Sequence, residues 1–127
     1  MANFSNLPHE RLKAYQEARS FLLCVYEARI KDPKLRDQAE RAAKSVCLNI
    51  SEGAGRSGIA DKARMYGIAR GELCEGTSAL EVALLTRGCL EEPARRGCGS
   101  CGRRVRSSLR PHPAGRVKRR IRPHSKA

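Results

Sequence analysis

The sequence predicts an all-α fold: an antiparallel up-down helical bundle with three recognisable helices. Three observations predict it. Apolar residues recur at three- and four-residue steps from Leu12 to Leu84, the period of one helix face. Two breaks, Lys31-Asp32-Pro33 and Gly53-Ala54-Gly55-Arg56-Ser57-Gly58, cut that pattern into three lengths of several turns each. After Leu90 the periodicity stops and charge replaces it. Residues 93–127 hold ten Arg and two Lys and no Asp or Glu, whereas residues 1–92 hold fourteen basic and thirteen acidic residues. The net charge of +13 therefore divides into +1 and +12. The expected organisation is a helical bundle domain over 1–92 and a disordered Arg/Gly/Pro-rich tail over 93–127.

The first helix is expected from about Pro8 to Ile30. Its face recurs at Leu12, Tyr15, Ala18, Leu22, Val25 or Tyr26, and Arg29 or Ile30. Pro8 suits a first helical turn, with Asn6 as its cap. Asp32 caps the second helix and Pro33 takes its first position. This helix runs to about Glu52 with Leu35, Ala39, Ala42 or Ala43, Val46 and Ile50 inward. Those side chains are small enough for a neighbouring helix to come close. Gly53 is expected to stop it with a positive backbone angle.

The third helix is expected from about Ile59 to Arg87. Ala63, Tyr66, Ile68 or Ala69, Leu73, Leu80, Val82 or Ala83, and Leu84 supply its apolar positions, and Gly88 its terminator. Gly67, Gly71 and Gly76 each cost about 1 kcal/mol of helix propensity, which reads either as tight helix contacts or as fraying. Beyond Leu90, the large apolar residues Val105, Leu109, Val117 and Ile121 are too few for a packed helix, and the composition predicts disorder. Three one-sided helices are normally completed by a fourth. The fourth helix is thus expected to be missing, or replaced by the basic tail.

Composition bounds the rest. Aromatics make up 4% of the chain and Trp is absent, so Leu, Ile, Val and Ala must carry a small core, a situation in which association adds useful apolar burial. No apolar run approaches the roughly 18–20 residues of a membrane span, and no signal peptide is read at the N-terminus. The expected location is the cytoplasm, without membrane association. Cys24, Cys47, Cys74 and Cys89 then read as small apolar residues with reduced thiols. Cys98-Gly99-Ser100-Cys101 has C-x-x-C spacing, but His112 and His124 are too far apart to complete a zinc finger. Neither a metal nor any cofactor is expected.

No enzyme signature is found. The Gly53–Gly58 loop lacks the preceding strand and the Lys-Ser/Thr pair of a phosphate loop, and His9 is isolated. Two readings of the turn around Asn49, Glu52, Gly53, Gly55 and Arg56 stand side by side: a polar cluster that meets RNA or a partner, or a capping arrangement holding the loop backbone. Arg41, Lys44, Arg56, Lys62, Arg64 and Arg70 form either a basic surface for phosphates or a solvated face balanced by Glu40, Asp61 and Glu72. The tail adds Arg103, Arg104, Arg106, Arg110, Arg116, Lys118, Arg119, Arg120 and Arg122. No aromatic residue interleaves with these arginines, so base stacking and sequence specificity are not expected.

The segments Leu12-Lys13-Ala14-Tyr15-Gln16-Glu17-Ala18, Gln38 through Arg56 (with Asn49-Ile50-Ser51-Glu52-Gly53-Ala54-Gly55-Arg56 the most specific part) and Tyr66-Gly67-Ile68-Ala69-Arg70-Gly71-Glu72-Leu73-Cys74-Glu75 resemble the bacterial 23S rRNA intervening-sequence, or S23-like, proteins. The resemblance covers a little over half the chain. The family usually has Trp in place of Tyr15, Ala in place of Ser51 and Ser in place of Glu72. The resemblance implies a four-helix bundle, assembly into a ring-like homo-oligomer (typically a pentamer), and no catalytic set. It also suggests kinship with the basic, nucleic-acid-binding accessory protein of diversity-generating retroelements. Set against it, the tail reads as an out-of-frame product of a GC-rich gene, with a frameshift between Leu90 and Arg96. The functional expectation is a non-catalytic oligomeric bundle that binds RNA or DNA through basic surface residues. The alternatives are a protein-interaction adaptor with no nucleic-acid role and a non-functional frameshifted product.

Overall fold

The computed structural model describes residues 12–110. Helix α1 spans Lys13–Glu27, α2 Pro33–Ala54 and α3 Ile59–Leu85. A fourth rod follows, made of α4 (Glu91–Arg96), a kinked turn (Gly97–Cys101) and α5 (Gly102–Ser108). Short connections make sequential rods antiparallel neighbours. The second rod packs on the first and third, and the fourth closes the bundle by packing on α1 and α3. The protein is an all-α bundle, with no strand among the described residues. None of the described helices is long and apolar enough to cross a membrane.

The expected absence of a fourth helix is corrected by this rod. Glu91 and Glu92 occupy the first turn of α4 and Arg95 and Arg96 the last, the order that the helix dipole favours. Glu91–Arg95 and Glu92–Arg96 are ion pairs one turn apart, at 2.6 and 3.8 Å. Pro93 sits within the first turn, where its missing N–H is tolerated. The inward stripe of the rod is Ala94, Gly97, Cys101, Val105 and Leu109. This is helical spacing written mostly in small residues, which is why a search for large apolar side chains passes over it. Gly99 leaves helical geometry (φ −94°, ψ −107°) and bends the rod. Residues 93–108, expected as tail, thus belong to this rod, and residues 111–127 lie outside the described residues.

The other boundaries follow local chemistry. Asp32 Oδ1 accepts from the N–H groups of Lys34 and Leu35 at 2.9 and 3.0 Å, so it caps α2 as expected. The α1 start expected at Pro8, with its Asn6 cap, lies outside the described residues. α1 stops at Glu27, short of the expected Ile30, because Arg29 turns into the left-handed region (φ 45°) and swings Ile30 into the core. α3 ends the same way: Arg87 has φ 55°, its N–H bonds Leu84 O, and the Gly88 N–H bonds Ala83 O at 2.9 Å. These two bonds form a Schellman cap with arginine at the position that usually holds glycine. The two loops at this end are tied together by Lys31 N–H to Gly88 O and Leu90 N–H to Ala28 O, at 2.8 and 2.7 Å.

The expectation of a positive angle at Gly53 is corrected. No glycine among the described residues has a positive φ, and Gly53 is buried inside α2. A Cβ there would lie 2.7 Å from Tyr66 Cε1, so the glycine admits the Tyr66 ring. Gly76 of α3 does the same for Phe21, whose ring would meet a Cβ at 3.1 Å. Gly71 makes no such contact, since nothing lies within 4 Å of its Cβ position. The core combines Ala18, Phe21 and Val25 of α1 with Ala43, Val46 and Ile50 of α2, Leu73 and Leu80 of α3, and Val105 of α5. On α1 the buried line runs through Phe21, leaving Leu12, Tyr15 and Leu22 at its edge.

Candidate nucleic-acid interface

Burial of Val105 and Leu109 fixes the rotation of α5. That register turns Arg103, Arg104, Arg106 and Arg110 outward, and all four are exposed. None of them lies within ion-pair distance of a carboxylate among the described residues. Their near neighbours are sulfur atoms: Arg104 Nη2 is 3.3 Å from Cys101 Sγ, and Arg106 Nη2 is 3.8 Å from Cys74 Sγ. Upstream of the bend the arginines are compensated. Arg95 pairs with Glu91, and Arg96 bridges Glu27 at 3.0 Å as well as Glu92.

Lys13, Arg103 and Arg104 line a shallow groove between α1 and α5, together with Ser107 and Ser108. Its single carboxylate, Glu17, is buried. Glu17 accepts from the Ser108 hydroxyl and stands 3.9 Å from Lys13 Nζ, so its charge is spent within the groove. A second shallow groove brings Arg103 beside Arg95 and Arg96, with Glu91 and Glu92 at its rim. Arginines that lack a carboxylate partner and crowd one rod raise the local positive potential and suit phosphate oxygens.

The candidates on the body behave differently. Arg41 pairs with Glu75 across α2 and α3 at 3.4 Å, Arg56 with Glu52 at 2.8 Å and Arg64 with Asp61 at 4.0 Å. Exposed pairs of this kind are worth about 0–1 kcal/mol each, yet they offset the charge that a phosphate would meet. Lys44 Nζ sits over the Tyr26 ring, 5.7 Å from its centroid. The hydrogen bond and charge interaction with Tyr26 raise the Lys44 pKa, with smaller contributions from Glu40 and Asp37. Lys62 and Arg70 have no ion pair among the described residues. Arg41 and Arg56 are fifteen residues apart on the chain of α2 and its loop, about 22 Å at the rise of an α-helix. The structure thus spreads these six residues along the bundle. Arg119 and Arg120 lie outside the described residues.

The turn residues divide as well. Asn49 Nδ2 donates to the carbonyl and hydroxyl of Ser45, at 2.8 and 2.9 Å, so it bonds back along α2 and leaves the loop alone. Glu52 holds Arg56, and the Gly55 N–H closes the helix on Ser51 O and Glu52 O. Arg95, Arg96 and Lys13 are the cations that sequence reasoning left out of the site. The signal that could have found the first two is the Glu91-Glu92-x-x-Arg95-Arg96 pattern, which marks a helix with its arginines on one turn. Among the described residues, no group of three or more His, Cys, Asp or Glu is placed to hold a metal ion.

The profile of the 23S rRNA-intervening sequence protein family matches residues 10–98. No curated protein matches the chain at a significant level. The matched span takes in α1, α2, α3, α4 and the first two residues of the bend.

Proposed function

Because the chain belongs to the 23S rRNA-intervening sequence protein family, we propose that it is a non-catalytic helical scaffold that holds the phosphate backbone of RNA on the arginine face of its fourth rod. The observation that carries this reading is the set Arg103, Arg104, Arg106 and Arg110: exposed, on one short helix and its end, and free of carboxylate partners among the described residues. Residues 91–110 contain no aromatic side chain, so the binding is electrostatic and tolerant of base sequence. Arg41, Lys44, Arg56, Lys62, Arg64 and Arg70 serve as secondary contacts in an assembly, where each recurs around an axis and the fields add.

Titration of the full chain against a fluorescent single-stranded RNA at several salt concentrations tests the proposal. The affinity falls as salt rises, with a log–log slope of about −0.7 per phosphate neutralised. The quadruple variant R103A/R104A/R106A/R110A loses at least about tenfold in affinity at 0.15 M salt and flattens that slope. Unchanged affinity in this variant, with helicity retained, would remove the fourth rod from the site.

Self-association is part of the same proposal. Leu23 and Leu48 are 60% and 68% exposed. Leu23 lies three residues before Tyr26, and Leu48 four after Lys44, the residue stacked on Tyr26, so the four share the α1–α2 face. A ring-like homo-oligomer that covers this face accounts for its apolar character. The second reading, a protein-interaction adaptor, rests on Ile59 and Leu85, which are 84% and 78% exposed near opposite ends of α3. It gains if the chain captures no RNA at physiological ionic strength.

A further inference from the structure

Beyond the polyanion reading, and independent of it, we propose that Cys24 and Cys101 form a reversible disulfide that staples the fourth rod to α1. The two residues are separated by 77 positions, and their Sγ atoms stand 3.6 Å apart in the core. Both are free thiols in this structure, each 5% exposed or less. A disulfide needs an approach of only about 1.6 Å from that distance. The bend at Gly99 lies two residues from Cys101 and provides a place where the rod can yield by that amount.

The surroundings favour this pairing over the nearer one in sequence. Cys98 turns the other way, its thiol donating to Thr77 O on α3 at 3.5 Å. Cys101 faces α1, with the Arg104 guanidinium 3.3 Å from its sulfur. A cleft of about 260 Å³, lined by Ser20, Glu27, Arg96, Ser100 and Arg104, reaches the two thiols from solvent. Burial raises the Cys24 pKa to about 11, with Cys101 adding to the rise. Cys101, whose sulfur lies against the Arg104 guanidinium, is the thiol that attacks first.

The oxidant is a low-molecular-weight disulfide such as glutathione disulfide. The Cys101 thiolate attacks one sulfur of it, the glutathione S–S bond breaks, and one glutathione thiolate leaves and takes up a proton. Cys24, deprotonated, then attacks the Cys101 sulfur of the mixed disulfide and expels the second glutathione. Two protein thiols are oxidised, one glutathione disulfide is reduced to two thiols, and the chain gains one S–S bond. The rod most affected is the one docked by small side chains. In the reduced state it is held by Ala94, Gly97, Cys101, Val105 and Leu109, and its release uncovers Phe21 and Leu80, both of which pack near Gly97. The oxidised state keeps that face closed.

Full-length protein is incubated with glutathione disulfide, alkylated, digested and examined by mass spectrometry, and melted in parallel with reduced protein. The expected result is a peptide joining Cys24 to Cys101 and a melting temperature raised by about 10 °C or more, both reversed by dithiothreitol. Cys101→Ala, checked for helicity, removes the link and the rise. A Cys98–Cys101 link in place of it, a link without a rise in melting temperature, or no link while the exposed Cys74 becomes glutathionylated would each overturn the proposal. The wild-type peptide map needs no variant to fold.

Discussion

At Gly53 the chain has room for hydrogen only, because Tyr66 Cε1 and Met65 Cβ would stand 2.7 and 3.1 Å from a Cβ. Gly53→Ala is expected to cost about 1–3 kcal/mol through overpacking. Gly71, exposed and open, is the opposite case. Gly71→Ala gains up to about 1 kcal/mol from helix propensity. Urea or thermal melts of the two variants check both signs. Cysteine burial gives a pH dependence. Desolvation raises the Cys47 thiol from 9.0 to about 11, and Cys98 likewise. The folded state therefore holds these protons more tightly than the unfolded chain does. Their contribution to stability is complete below pH 9 and is lost as pH climbs towards about 11. Thermal melts across that range should show a falling midpoint, with a shallower fall in Cys47→Ala.

Among the elements, the fourth rod carries the clearest test. Val105 is fully buried between the rods, so Val105→Asp places an unpaired carboxylate in the core. It is expected to undock α5, and hydrogen exchange should then show fast amides from about residue 97 onward while α2 and α3 stay protected. An equal loss of protection in all rods would mean that the bundle melts as one unit. At the other end of the energy scale, Asp32→Ala removes two hydrogen bonds from the start of α2 and should cost about 1 kcal/mol. The difference between these outcomes reflects burial: the Asp32 cap is exposed and local, whereas Val105 joins elements distant in sequence.

For the whole molecule, the uneven charge meets an uneven surface. The body pairs its acids and bases in short exposed bridges, while α5 and its end turn four arginines outward without carboxylate partners among the described residues. The α1–α2 face is the apolar counterpart. Leu48→Glu places a charge on that face and is expected to lower the sedimentation mass of the protein without loss of helicity. An unchanged mass would send the assembly to another surface. The family profile ends at Cys98, inside the bend, so the arginine face lies beyond the matched span. An out-of-frame origin for this end predicts that another frame of the gene, after the codon for Glu92, encodes an amphipathic helix of about 20 residues. Lack of such a frame assigns the arginine-rich rod to the native product.

The three long rods and their breaks were legible because periodic Leu, Ile, Val and Ala, an Asp-Pro start and a glycine-rich loop each act within a few residues of themselves. The capping role of Asp32 and the inward line Ala39–Val46–Ile50 needed nothing distant. What tertiary structure decided lay wherever a residue is chosen for a neighbour far along the chain. Gly53 looked like a helix stop and is a seat for Tyr66. Ala94, Gly97 and Cys101 looked like tail and are the contact of a fourth rod with α1 and α3. Arg41 and Arg56 looked like parts of one basic patch and are neutralised separately by Glu75 and Glu52. Local sequence sets which segments can coil, because helix periodicity and capping are short-range. The closing rod and the free arginines depend on shape and charge complementarity between segments, which one-dimensional spacing does not encode.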